Sequence, residues 1–132
     1  MLRLGTDIIY IPRIEKVIEQ FGDRFLRRVY TPNELLDCRY EQNSPSRNAM
    51  NKLAGRWAAK EAVVKAMETG WLGVGYTDVE ICRQPSGAPS VQLHGRALAI
   101  VESWGQLQWQ LSLSHDKDYA IATALLIYKA NN

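Results

Sequence analysis

The sequence predicts an α+β fold in which an antiparallel sheet packs on a long central helix, and three observations carry that prediction. Apolar residues recur at helical spacing through the first half, at Ile14, Val17, Ile18, Phe21 and Phe25. A second helical stretch, residues 48–67, is long and alanine-rich. The second half instead alternates: Trp109, Leu111 and Leu113 interleave with Gln110, Ser112 and Ser114, the pattern of a strand with one buried face. Helices concentrated early and antiparallel strands late define the class.

Residues 2–11 read as a first strand, and Pro12 suits the opening turn of the helix that follows. Thr31-Pro32-Asn33-Glu34 is a helix start, with a Thr cap, Pro next and Glu three residues after the cap. The polar stretch 41–47, with Ser44-Pro45-Ser46, predicts a loop. The long helix 48–67 follows, closed by Thr69-Gly70, and residues 70–75 form a glycine-rich turn. Residues 78–82 and 90–93 read as a hairpin around Pro85-Ser86-Gly87. A short helix over 96–104 comes next, then the alternating strand. A turn at residues 115–118 leads into a last strand, 119–128.

At 132 residues, with no repeat or composition break, the chain is expected to be one domain, 1–132. Hydrophobic residues make up 46% and charged residues 23%, an ordinary soluble composition. A net charge of +2 is too small to suggest nonspecific nucleic-acid binding. Arg3 and Asp7 interrupt the first apolar stretch, which argues against a signal peptide. The longest apolar run, 119–128, is too short to span a bilayer. Cys38 and Cys82 lack metal-type spacing and read as free thiols, so a cytoplasmic setting is expected.

Residues 54–65 hold the most chemistry. They put Glu61 among three cations, Arg56, Lys60 and Lys65, on a helix that is otherwise largely alanine. At about 100° per residue, Ala54, Ala58, Glu61 and Lys65 share one stripe, and Arg56 and Lys60 a neighbouring one. A carboxylate on a small-residue stripe needs a partner if it is buried. Cations or a metal ion would serve, and a salt-bridged amphipathic helix is the plain alternative. Asp7, in Gly5-Thr6-Asp7-Ile8-Ile9, interrupts an apolar strand where Asp is disfavoured. It reads either as a strand-end cap or as a hard-cation ligand. Mg²⁺ takes one or two protein carboxylates and completes its shell with water and phosphate oxygens, so Asp7 and Glu61 would make such a pair. His115 closes the alternating strand, as a structural or a rim residue. The Arg24, Arg27, Arg28 cluster is a solvated face or a docking patch for an acidic partner. The turn 70–75 lacks the Lys-Ser/Thr of a phosphate loop.

Three blocks, in order, resemble the holo-acyl-carrier-protein synthases, the short type of 4′-phosphopantetheinyl transferase. Gly5-Thr6-Asp7-Ile8-Ile9 resembles the family's G-x-D-I motif. Ala54-Gly55-Arg56-Trp57-Ala58-Ala59-Lys60-Glu61-Ala62, followed by Lys65-Ala66, resembles its F/W-A-x-K-E-A-x-x-K-A signature. Ser112-Leu113-Ser114-His115-Asp116 resembles its S-x-S-H block. Arg13-Ile14, Thr31-Pro32-Asn33-Glu34-Leu35 and Gly87-Ala88-Pro89 are weaker matches between them. Departures are Thr6, Trp57 where Phe is common, and a divergent stretch 38–52.

The resemblance implies Mg²⁺-dependent transfer of 4′-phosphopantetheine from coenzyme A to a serine of apo acyl carrier protein. Adenosine 3′,5′-bisphosphate is released, and the reaction supports fatty acid biosynthesis. By motif, Asp7 and Glu61 would hold Mg²⁺, and Glu61, Asp7 and Lys65 would be catalytic, with Glu61 the candidate base, directly or through a water. Lys60 and Lys65 would neutralise pyrophosphate oxygens. Arg56 and His115, together with Gly87 and Pro89, would contact coenzyme A. Arg13, Arg24 and Arg28 would meet the acidic carrier protein. The short type is a homotrimer with sites between subunits, so one chain would supply half a cleft. A Mg²⁺-dependent phosphoester hydrolase and a noncatalytic coenzyme A or carrier-binding module are the alternatives, and the presence of both Asp7 and Glu61 favours the enzyme.

Overall fold

The computed structural model describes residues 1–41 and 45–129. The elements run β1 (Leu2–Tyr10), α1 (Ile11–Phe21), α2 (Asp23–Val29), α3 (Pro32–Asp37), α4 (Arg47–Met67), β2 (Val79–Arg83), β3 (Pro89–Leu93), α5 (Gly95–Val101), β4 (Gln106–Asp116) and β5 (Tyr119–Lys129). Short 3₁₀ turns at Tyr76–Asp78 and Glu102–Trp104 precede β2 and follow α5.

Each boundary has a local cause. Pro12 lies in the first turn of α1, where its missing N–H is harmless. The apolar periodicity 14–25 predicts one helix, but Gly22 divides it. Its φ of +55° ends α1, and its N–H donates back to the Ile18 carbonyl at 2.7 Å. Thr31 caps α3 reciprocally: its hydroxyl accepts from the Glu34 N–H at 3.2 Å, and the Glu34 carboxylate accepts from the Thr31 N–H at 2.9 Å. Ser46 accepts from the Ala49 N–H at 3.0 Å, so α4 begins at Arg47, a residue earlier than the sequence suggests. Of the expected loop 41–47, residues 42–44 lie outside the described residues.

Two expected turns sit elsewhere. α4 ends at Met67, as expected, but Thr69-Gly70 does not close it. Glu68 takes the left-handed conformation, with φ +62°. Arg3 of β1 holds that end, ion-paired with Glu68 at 3.2 Å and donating to the Met67 carbonyl at 3.1 Å. The turn expected at 115–118 is also shorter: β4 continues through Asp116, and Lys117 makes the bend with φ +52°. His115 therefore belongs to a strand.

The main sheet is antiparallel, in the order β1-β5-β4, and β2 and β3 form a separate hairpin. Across the main sheet Asp7 pairs with Ala122 and Ala122 with Leu113. The next row on the same face is Ile9, Ala120 and, at the exposed end of β4, His115. α4 lies on the inner face, chiefly over β1 and β5. Thirteen of its 21 residues are buried, so it is enclosed on more than one side rather than amphipathic at the surface.

Small residues let it come close. Ala58, Ala62 and Ala66 of α4 and Ala120, Ala122 and Ala124 of β5 are all buried. At Gly5 the backbones meet: a Cβ there would lie 1.9 Å from the Ala62 carbonyl oxygen. The outer face of the sheet is apolar and open, with Leu4 66% and Ile8 62% exposed beside Leu2, Tyr10, Tyr119 and Ile121.

Two glycines test this packing in opposite directions. Gly5→Ala meets backbone, which cannot rotate away, and is expected to lower stability by about 3 kcal/mol or more. Gly55, inside α4 with nothing within 4 Å of an added Cβ, is expected to gain about 1 kcal/mol as Ala. Urea unfolding midpoints check both, and an unshifted midpoint for Gly5→Ala would contradict the contact.

Candidate active site

Asp7 and Glu61 face one cavity of about 260 Å³ between β1, α1 and α4, with Arg13 at its wall. Their meeting follows from the close approach at Gly5. Asp7 lies two residues further along the same face of β1, and Glu61 immediately precedes Ala62. Lys65, one turn on from Glu61, donates to Asp7 Oδ1 and to the Thr6 carbonyl, both at 3.0 Å. Its ammonium has a third proton free for a ligand. Lys65 is more than half exposed and Asp7 much less so.

Among the described residues Glu61 has no cation partner. Trp57 Nε1–H donates to its Oε1 at 3.2 Å and Trp71 Nε1–H to its Oε2 at 3.1 Å. Nothing in the sequence around Glu61 points to Trp71, which comes from the glycine-rich turn after α4.

Lys60 departs from expectation. It is fully buried, and its three protons go to Glu34 Oε1 at 2.8 Å, the Tyr76 carbonyl at 3.0 Å and the Val79 carbonyl. No proton remains for a phosphate. Burial pushes its pKa below the ordinary value, against the pull of Glu34. The second Glu34 oxygen accepts from the Ile81 N–H at 3.0 Å. This buried pair ties α3 and β2 to α4, so Lys60 is a structural residue here and not a pyrophosphate ligand.

A second cavity, of about 290 Å³, opens on a different flank of α4. Lys52, Arg56, Arg83, Gly87 and Pro89 line it, with Leu113 of β4. Three cations around so small a space suit an anion. Arg56 is almost wholly buried, its nearest carboxylate is Asp37 at 3.9 Å, and its Nε has no partner among the described residues. A buried guanidinium left short of acceptors is a place for a phosphate. Sequence reasoning named Arg56, Gly87 and Pro89 and missed Lys52 and Arg83. Both carry no motif and are gathered only by the fold. Gly87 also has a local reason to be glycine, since it turns the β2–β3 hairpin at φ +91°. His115 is exposed, two residues beyond Leu113 on the same face of β4.

Arg13 is exposed on α1, and Arg24, Arg27 and Arg28 are exposed on α2. Arg24 and Arg28 border a further cavity of about 650 Å³ floored by Phe21, Phe25, Trp57 and Tyr76. It shares Val17 and Trp57 with the carboxylate cavity, so the basic rim adjoins it. Cys38 and Cys82 are free thiols, each pushed up to about 11, first of all by burial, and so inert near neutrality.

The donor set fits a hard divalent cation. Two carboxylates face one cavity, and oxygen is the ligand type Mg²⁺ takes. Among the described residues no cluster of three or more His, Cys, Asp or Glu exists, so the pair would leave most of a cation's shell to water and phosphate oxygens. No helix among the described residues is long and apolar enough to cross a membrane.

Comparison with known proteins gives the family. The model of the 4′-phosphopantetheinyl transferase superfamily matches residues 3–124. The chain is 54% identical to a holo-[acyl-carrier-protein] synthase of Gloeobacter violaceus, over 95% of this chain and 92% of that one. It is 42% identical to a synthase of Koribacter versatilis of the same name, over 96% and 98%. Among solved structures, the Chronobacterium ammoniagenes ACPS–CoA complex superposes with a TM-score of 0.81 at 32% identity, covering 98% of each chain. The Helicobacter pylori holo-[acyl-carrier-protein] synthase in complex with coenzyme A gives 0.76 at 30%, covering 96% of this chain and 99% of that one. The chain belongs to the 4′-phosphopantetheinyl transferase superfamily and, within it, to the enzymes of the holo-[acyl-carrier-protein] synthase type.

The two lysines of α4 give a clean contrast. Lys60→Met strands Glu34 as a buried, unpaired carboxylate and is expected to cost about 3–5 kcal/mol. Lys65→Met removes a partly exposed pair and is expected to stay within about 1 kcal/mol of the parent. Equal destabilisation of the two in urea would contradict the separation of their roles.

Proposed function

We propose that the chain, as one transferase domain, moves 4′-phosphopantetheine from coenzyme A to a serine hydroxyl of apo acyl carrier protein, with Mg²⁺, and releases adenosine 3′,5′-bisphosphate. The observation that carries this reading is the pairing of Asp7 and Glu61 on one cavity, beside a lysine with a free proton and a basic helical rim. Asp7 and Glu61 would hold the Mg²⁺, which would supply neutralisation of the pyrophosphate charge. Lys65, still charged, donates a hydrogen bond through its remaining N–H to a pyrophosphate oxygen as charge builds on the leaving group. Arg56, Lys52 and Arg83 receive another phosphate of coenzyme A, with Gly87 and Pro89 shaping the wall and His115 at the rim. Glu61, directly or through a water, takes the serine proton. The serine oxygen forms its bond to the β-phosphorus as the bond to the bridging pyrophosphate oxygen breaks. Arg13, Arg24 and Arg28 steer the acidic carrier to the site, a long-range effect that salt screens. The setting is the cytoplasm and the product serves fatty acid biosynthesis.

The reading includes a homotrimer. Arg56 and Glu61 lie five residues apart on α4, so they project about 140° from each other. The carboxylates sit toward β1 and the cationic cavity toward β4, on opposite sides of β5. Two half-sites on separate flanks suit a cleft completed by a second copy. The open apolar face of the sheet, with Leu2, Leu4, Ile8 and Ile121, supports association.

Mass spectrometry of apo carrier protein incubated with coenzyme A and Mg²⁺ tests the activity. The expected gain is one phosphopantetheine, and no gain with several carriers would overturn the reading. Glu61→Gln is expected to lose about 10²-fold or more in rate while remaining folded.

Shared sites predict complementation. Mixing an inactive Glu61→Gln variant with an inactive His115→Ala variant, under proven subunit exchange, is expected to restore part of the activity. No recovery would place both residues in one subunit's site, and a fully active monomer in sedimentation would remove the need for a trimer.

A further inference from the structure

Glu61 is held by an unusual pair of donors. Both are indole N–H groups, one on each carboxylate oxygen, at 3.2 Å from Trp57 and 3.1 Å from Trp71. A tryptophan one turn earlier on a helix reaches a glutamate side chain readily. The second is different, because it comes from the turn beyond the helix and must be brought back. An aromatic stack does this. Trp71 lies against Tyr76 with ring centroids 4.2 Å apart, Tyr76 against Trp57 at 6.0 Å, and Trp57 against Phe25 at 5.0 Å. The turn itself is shaped for the purpose by Gly70 and Gly73, both at positive φ, on either side of Trp71 and Leu72. The Trp71 ring is partly buried, while its neighbour Leu72 is exposed.

The consequence for the carboxylate is geometric. A carboxylate oxygen can accept more than one hydrogen bond, so each Glu61 oxygen keeps capacity on the side away from its indole. With both oxygens pinned, the plane of the group is fixed before any ligand arrives. Neither donor carries charge, so among the described residues the carboxylate's negative charge is oriented without being cancelled by an ion pair. Asp7 differs, since it is already paired with Lys65.

We propose that Trp57 and Trp71 are positioning residues for the metal site, an indole clamp that sets the Glu61 carboxylate in the orientation in which it binds Mg²⁺. The inference rests on the reading of Glu61 as a metal ligand. It also gives the departure at Trp57 a physical meaning: the five-membered ring of the indole, which Phe lacks, supplies the N–H on Oε1. Outer-shell hydrogen bonds that orient a ligand are worth about 10–100-fold in metal affinity.

The test replaces Trp71, Trp57 or both with Phe, which keeps an aromatic ring in the stack and deletes the N–H. Mn²⁺ is titrated into each protein with saturating coenzyme A and no carrier, and free Mn²⁺ is read by electron paramagnetic resonance. Trp71→Phe is expected to weaken Mn²⁺ binding about tenfold, and the double variant more. In turnover the concentration of metal needed for half-maximal rate rises, while the rate at saturating metal stays near that of the parent. A merely structural pair would lower the rate and leave the metal dependence where it was. Glu61→Gln is the reference. If it loses Mn²⁺ while the Phe variants bind as the parent does, the clamp is overturned and the metal reading stands. If Glu61→Gln binds Mn²⁺ like the parent, the metal reading falls and the clamp with it.

Discussion

The contact between Gly5 and the Ala62 carbonyl is the constraint on which the site depends. A strand and a helix ordinarily keep apart by the thickness of their side chains. Here one side is glycine and the other is the bare helix backbone between alanines, so β1 and α4 meet almost directly. Everything polar at the site is counted from that point. One step along the pleat brings Asp7 to the same face, one residue back on the helix gives Glu61, and three residues on gives Lys65. Side chains of ordinary size at the contact would push the elements apart and draw the carboxylates out of reach of one cavity. Local stability and site geometry are therefore one problem, solved by the smallest residues in the chain.

α4 carries two unlike polar systems on two flanks. Lys60 is buried, saturated and bonded to Glu34, whose other oxygen holds the Ile81 N–H. Lys65 is half in water and shares its protons between β1 and the open cavity. The first system is stiff, because removing either charge leaves the other without solvent. The second exchanges partners at little cost. A phosphate-handling group needs the second kind of environment, and the first gives the helix the fixed axis on which that group is displayed. Glu80 extends the rigid side: it accepts from the Thr31 hydroxyl and meets His94 at 3.1 Å, which links the α3 cap to α5.

Much of this was legible in the residue order, for reasons that differ by element. The Thr31-Pro32-Asn33-Glu34 start is a short-range hydrogen-bond pattern, and it forms as read. Asp7 and Glu61 stood out because a carboxylate in an apolar strand or on an alanine stripe must answer for its charge. Lys60 misled because, in a list of residues, a lysine beside a glutamate looks like the lysine four residues after it. The spacing held the correction, since residues five apart on a helix point about 140° from each other. Lys60 and Lys65 therefore leave the helix on different sides, and burial takes up the first. Trp71, Lys52 and Arg83 carried no such signal. They reach their places through a turn, a helix start and a hairpin, and only tertiary structure brings those together. Gly22 and Glu68 show the same limit at shorter range, because a left-handed residue ends a helix without altering the apolar period that announces it.

The separation of the two cavities also bears on why so small a chain has so much apolar surface outside. Alanines line much of the inner face of the sheet so that α4 can come close, while Leu2, Leu4 and Ile8 of β1 and Ile121 of β5 stand on the outer face. The same alternation that sends Gly5 and Asp7 inward sends Leu4, Thr6 and Ile8 outward. A strand cannot present its small residues to one partner without presenting its neighbours to another. In the proposed assembly that second partner is a copy of the chain, and its arrival would set a cationic half-site opposite a carboxylate half-site. Association and catalysis would then have one origin in β1, a single strand whose two faces meet two different demands.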